Sequence, residues 1–337
     1  MRRDTCTVRK DGPAFASSLC ALLLLAAGAA RADVDVYQAT VPLKGASEAD
    51  RTVAFGEALR VAAVRASGRR DAAENAAIET AAADATRYVQ RYSTTTDRQL
   101  KVGFDAQAMD RLLSQAGLPL WPLERPVTLV LLVTPSVAGG SRAVLEGERV
   151  PERTAIEAAA QTRGVPIVWP RQSVDAARVR DIAAGRGSRE SGGPMDGGSQ
   201  AVLAGVAGGS VVTWGFEHGS QDAQASGTPA DGIHLAADTL AARYAPGSTR
   251  GMTTVPVRIG GVSGVKAYAS LLEYLKSLSL VRSIAVDELA QEVVGLRLTI
   301  RGDLDLLRRI ASLETRLRPP PPDAASGPEA LDFLYEP

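Results

Sequence analysis

The chain has 337 residues, 38 basic and 38 acidic side chains, a formal charge of zero, two cysteines and two histidines. That balance argues against a nucleic-acid binder, which needs a basic face. Two cysteines also cannot build the disulfide framework of a small secreted scaffold.

The first 32 residues read as a secretory signal. Arg2, Arg3, Arg9 and Lys10 form a positive start, and an apolar run from Ala14 to Ala27 follows. Ala30 and Ala32 then supply the small residues that a signal peptidase needs, which places the mature terminus at Asp33. The apolar run is shorter than the roughly 20 residues that span a bilayer. Cys20 has Leu19 where a lipoprotein signal needs a small residue, so lipidation is not expected. The expected product is periplasmic and has no integral membrane span. Cleavage removes both cysteines, five basic and two acidic residues, leaving a charge of −3.

Residues 33–122 read as an N-terminal α+β domain. Val34, Val36, Tyr37 and Val41 form an opening strand, and Ser47 with Asp50 makes a capping box for a helix. That helix carries Phe55, Leu59, Ala62, Ala63 and Ala66 on one face and ends at Gly68. A second, Ala-rich helix is predicted from Ala72 to about Tyr88. A strand at Leu100 to Phe104 and a short helix from Ala106 to Ala116 complete the unit.

Residues 123–250 read as a central α/β domain with a largely parallel sheet. Val127 to Val133 is apolar almost throughout, as a strand covered on both faces must be. A helix from Glu152 to Arg163, a strand from Val165 to Trp169 and a helix capped by Ser173 follow. Residues 185–199, rich in glycine and serine, read as a flexible insert. Two strands turn at Gly208 and Gly209, residues 219–232 read as a loop, and a helix runs from Ile233 to Tyr244. Residues 251–318 give the order β-α-β-β-α, expected to be a ferredoxin-like module whose last helix runs from Leu304 to Leu317. In its first helix Tyr268, Leu271, Leu272 and Leu275 share a face. Residues 319–337 form a proline-rich tail, with a candidate edge strand from Leu331 to Tyr335.

Several local signatures recur in order: Arg51-x-x-Ala54-x-x-x-Ala58-Leu59, Ser67-Gly68, Phe104-Asp105, Leu112-Leu113, Gly117-x-Pro119-x-Trp121 and Arg125-Pro126. Together with Tyr268–Leu275, Val281 and Gly302-Asp303, this set resembles the proteobacterial exported family catalogued as domain of unknown function 2066. The resemblance implies no activity and no cofactor.

Chemistry-bearing motifs are few. The expected mature chain has no cysteine and only His218 and His234, sixteen positions apart, so no metal site is expected. No Gly-x-Ser-x-Gly elbow or phosphate-binding loop occurs. Gly261-Val-Ser-Gly264 reads as a strand-to-helix turn, and Asp303 and Asp305 as charge at a helix N-terminus. Asp287, Glu288 and Glu292 read as solvated carboxylates around a tight turn. Of the 38 basic residues only five are lysine, so single arginines are not taken as anion clamps.

One cluster stands out. Strand alternation puts Trp214, Phe216 and His218 on one face and Glu217 on the other. Both histidines are expected to be partly exposed, and the strand end is a candidate binding surface. No catalytic and no cofactor-binding residue is assigned. The expectation is a non-enzymatic periplasmic protein, an envelope-assembly accessory that contacts an envelope protein partner. The alternative is a periplasmic hydrolase or small-ligand-binding protein using the Trp214–His218 strand end.

Overall fold

The computed structural model describes residues 35–136, 139–187, 199–245, 251–322, 324 and 330–336, all within one compact unit. The expected signal, with Ala30, Ala32 and Asp33, lies outside the described residues, as does most of the 185–199 insert. The fold is mixed α/β, with eight α-helices and three sheets among the described residues.

The first sheet is antiparallel, in the order β1 (Gln38–Pro42), β3 (Gln99–Phe104), β2 (Val89–Thr94). Helix α1 (Glu48–Ser67) begins at the Ser47–Asp50 capping box and stops at Gly68, whose φ of 71° suits glycine. The predicted helix over 72–88 does not form as one element. A 3-10 turn (Arg70–Glu74), α2 (Ala76–Ala83) and a second 3-10 turn (Ala85–Tyr88) take its place, and β2 follows directly. Alanine favours helix throughout, but the Asn75 side chain accepts from Ala77 N and starts the helix afresh. α2 crosses α1 closely, since a Cβ on Gly56 would stand 2.7 Å from the Ala82 carbonyl oxygen. α3 (Ala106–Gln115) buries Met109, Leu112 and Leu113.

The second sheet holds β4 (Thr128–Pro135), β5 (Ser141–Ala143), β6 (Ile167–Val168), β7 (Ala201–Gly208), β8 (Val211–His218) and β9 (Gln221–Gly227). Its order is β5-β4-β7-β8-β9, with β6 also on β4. Only β4–β6 and β4–β7 are parallel; β4–β5, β7–β8 and β8–β9 are antiparallel. The expectation of a largely parallel sheet is therefore corrected. The glycine turns at 209–210 and 219–220 are too short for a crossover, so both strand pairs must fold back as hairpins. The predicted 219–232 loop is instead β9 followed directly by α6 (Pro229–Tyr244). α4 (Pro151–Arg163) and α6 share a core with one face of the sheet, while α5 (Ala176–Ala183) packs Val179 and Ile182 on the other. Asp175, not Ser173, caps α5.

The third sheet has the order β11 (Val281–Ala290), β12 (Val293–Arg301), β10 (Met252–Gly260), β14 (Phe333–Tyr335), β13 (Leu317–Arg318). α7 (Gly264–Ser277) links β10 to β11, and α8 (Leu304–Ala311) follows β12 with Asp303 as its cap. α8 ends well before Leu317, which lies in β13. β14 is no edge strand: it lies between β10, parallel, and β13, antiparallel. Asp287 and Glu288 lie within β11, paired with Arg297 and Arg258, rather than in the turn.

Two separate apolar cores result, besides the small one under α5. One belongs to the N-terminal unit, with Leu59, Ile78, Leu100 and Leu113 at its centre. The other runs without a break from Val130 and Trp214 through Leu240 to Leu275, Leu298 and Ile310. The second and third sheets are thus joined by shared burial.

Candidate functional site

Alternation along β8 places Trp214, Phe216 and His218 on one face, and all three are buried, at 0 %, 1 % and 7 % exposure. The face is core under α6, so the strand end does not present these rings to solvent. Trp214 Nε1 donates to the Thr228 carbonyl oxygen at 3.2 Å, at the start of α6. Glu217 points to the other side, where burial and Asp222 push its carboxyl up.

The two nitrogens of His218 are both engaged. Nδ1 lies 2.8 Å from the Gln200 carbonyl oxygen, which can only accept, so Nδ1 carries the proton. Nε2 of the neutral ring then accepts from Tyr244 Oη at 2.7 Å. Burial pushes the imidazole below its ordinary value, opposed in part by the Gln200 bond. A ring held in this way ties β8, the segment before β7 and the end of α6 together. It has no free nitrogen for a substrate.

This makes a stability prediction. His218→Ala leaves a part-buried carbonyl and a buried hydroxyl without their partner and should cost about 2–4 kcal/mol. The wild-type pH profile has a definite sign. Because the folded value is lowered, the unfolded ring takes up a proton first as pH falls below 6.5, so stability is full above 6.5 and declines below it. Urea unfolding across that range should show the decline, and the variant should lose His218's part of it. A loss under about 1 kcal/mol in the variant would refute the role given to the ring.

His234, on α6, is half-buried and belongs to a different cluster. Its Nδ1 accepts from Arg163 Nη1 at 3.1 Å, and burial with the positive charge of Arg163 and Arg70 holds it below the ordinary range. Arg163, only 1 % exposed, also donates through Nη2 to the Gly68 carbonyl oxygen at 2.8 Å and to Asp238 Oδ1 at 2.6 Å. Beside it Arg125 stacks 3.9 Å over the Trp121 ring. Ser67-Gly68, Trp121 and Arg125, separate in the sequence, therefore meet where the N-terminal unit joins the central sheet. Reading arginines as compositional background missed this cluster. The available signal was Arg163-Gly164, a cation in the last turn of a helix with a glycine stop. Among the described residues no group of three or more His, Cys, Asp or Glu is placed to hold a metal ion.

What remains open is a strand edge. β11 has a partner on one side only, and none of its ten residues is buried. Val286 is 43 % exposed and Leu289 64 %. No described helix is long and apolar enough to cross a membrane.

A family model described as a domain of unknown function, DUF8605, matches residues 30–122. It covers the N-terminal unit through Trp121 and stops short of Arg125. The family found is therefore uncharacterised, as the sequence signatures implied, but it is not domain of unknown function 2066. No curated protein and no solved structure matches the chain.

Proposed function

We propose that the chain is an exported periplasmic protein that works by contact with a protein partner, as an accessory in envelope assembly, and not by catalysis. The open edge of β11 carries this reading. A ten-residue strand with no buried side chain offers backbone donors and acceptors to an extended segment of a partner, which would add as a further strand. Its carboxylates Asp287 and Glu288 are spent on Arg297 and Arg258, so the groups left to contact such a segment include Val286 and Leu289. The same reading takes β10-α7-β11-β12-α8 as a ferredoxin-like half-unit, with β10 and β11 flanking β12 and both antiparallel to it. The alternative, a hydrolase or ligand binder at the Trp214–His218 strand end, has the burial of that face against it.

Leu289→Lys tests the proposal, because it adds charge on an exposed strand position without touching the core. Complementation of a deletion strain should be lost at normal protein abundance and an unchanged melting curve. A photo-crosslinker at position 289 should give a discrete adduct that the same group at exposed Val211 does not. Full complementation, or identical adducts from both positions, would refute the β11 contact. The mass of the periplasmic form should begin at Asp33, and a diacylglyceryl mass on Cys20 would refute the proposed export route.

A further inference from the structure

Between the N-terminal unit and the third sheet lies a cavity of about 210 Å³, lined on its polar side by Tyr37, Asp110, Arg282 and Arg301. Asp110, on α3, is at the centre of that side with its side chain 17 % exposed. It accepts from Arg282 Nη2 at 2.8 Å, from Arg301 Nη2 at 3.0 Å and from the Tyr37 hydroxyl. Burial and the Asp110 charge push the Tyr37 phenol far up, so it stays protonated and donates. One carboxylate therefore faces two guanidiniums, and a unit of positive charge is left over. Glu124 makes no ion pair with either guanidinium; its two oxygens accept from Ser279 N and Oγ at 2.8 and 2.6 Å. The opposite side is apolar, with Leu120, Leu123, Leu280 and Leu306.

Trp121 provides a spectroscopic reporter at this cavity. Trp121 lines this cavity, is 3 % exposed, and has its indole N–H buried without a hydrogen-bond partner. The other two tryptophans are satisfied: Trp169 donates to Glu157 at 3.1 Å and Trp214 to Thr228 at 3.2 Å. The Trp121 N–H is sealed by protein atoms, so its signal reports a ligand that contacts the ring and not one that bonds the nitrogen.

We infer that this cavity binds a small organic monocarboxylate with an apolar body. The carboxylate meets the surplus guanidinium charge, and the apolar body lies against the leucines. The volume equals the liquid share of roughly seven waters and is below the roughly 300–1,000 Å³ of a drug-sized pocket, so the ligand is small. The site shares Arg282 with β11 but does not rest on the contact at Val286 and Leu289 proposed above.

The chain's three tryptophans make the test direct. In the ¹⁵N-labelled mature protein, the three indole N–H signals are followed while sodium benzoate is added, with Trp121→Phe assigning one of them. The Trp121 signal should move and saturate while the other two stay in place. Benzamide, of the same shape but uncharged, should bind at least about tenfold more weakly, as should benzoate to Arg282→Met. Arg282→Met keeps the Arg301–Asp110 pair, and an unchanged melting curve without ligand would confirm that it folds. A Trp121 signal that does not move, three signals that drift together, or equal affinity for benzoate and benzamide would each overturn the assignment.

Discussion

Leu275→Asp is expected to unfold the second and third sheets together while the core of the N-terminal unit keeps its protection. Leu275 is fully buried on α7, beside Leu271 and Tyr274, with Tyr268 and Leu272 half-buried at the margin of the same face. An unpaired carboxylate there costs several kcal/mol, against a total stability of about 5–15 kcal/mol for a domain. The damage should spread because the core around Leu275 continues to Leu298, Leu240 and Val130. Leu59, Ile78 and Leu100 belong to a separate core. Hydrogen exchange should therefore show lost protection at 129–133, 203–206, 271–275 and 294–300, with protection retained at 58–63 and 100–104. Loss confined to 252–335 would mean that the third sheet unfolds alone. Wild-type protease resistance would mean that α7 tolerates charge at that position.

Elements whose local chemistry and packing agree were legible in the sequence. α1 is the clearest, with its capping box, its Phe55–Leu59–Ala62–Ala66 stripe and its glycine stop. Helices α3, α4 and α7 and strands β4, β7, β8 and β12 follow from the same periodicities. Elements held by neighbours were not legible. β9 reads Gln-Asp-Ala-Gln-Ala-Ser-Gly and has no apolar stripe; it is a strand because the short turn at 219–220 lays it along β8. β14 has three residues and pairs with β10, more than seventy positions earlier. The β8 face shows a further limit. Alternation correctly groups Trp214, Phe216 and His218, but a covered face and a ligand-binding face have the same pattern. What decides between them is α6, and above all Tyr244, 26 residues away from His218. The arginines that matter are hidden for a related reason. With 33 in the chain, composition cannot single out the few that are buried, because what distinguishes them is the helix ends they meet.

Arg125→Met should be the most damaging single change at the junction of the N-terminal unit and the central sheet, at about 3–5 kcal/mol. Arg125 is 7 % exposed, and each nitrogen of its guanidinium donates to a backbone carbonyl. Nε donates to Pro122 at 3.2 Å, Nη1 to Gly164 at 2.6 Å and Nη2 to Arg65 at 2.8 Å. Arg65 lies in the last turn of α1, and Gly164 is the stop of α4, so two helix C-termini converge on one cation. Carbonyls at such ends lack helical partners and carry the negative pole of the helix dipole. That arrangement offsets the burial of a charge that burial and Arg65 push down to about 9, still protonated at neutral pH. Methionine matches much of the side chain's length but donates nothing, leaving one buried and two part-buried acceptors without it and removing the cation from the Trp121 face. Lysine restores charge without the planar fork and should recover only part of the loss. Urea midpoints of Arg125→Met and Arg125→Lys should rank in that order below wild type. A methionine variant within about 1 kcal/mol of wild type would show that water reaches these carbonyls and that the two helix ends do not depend on Arg125.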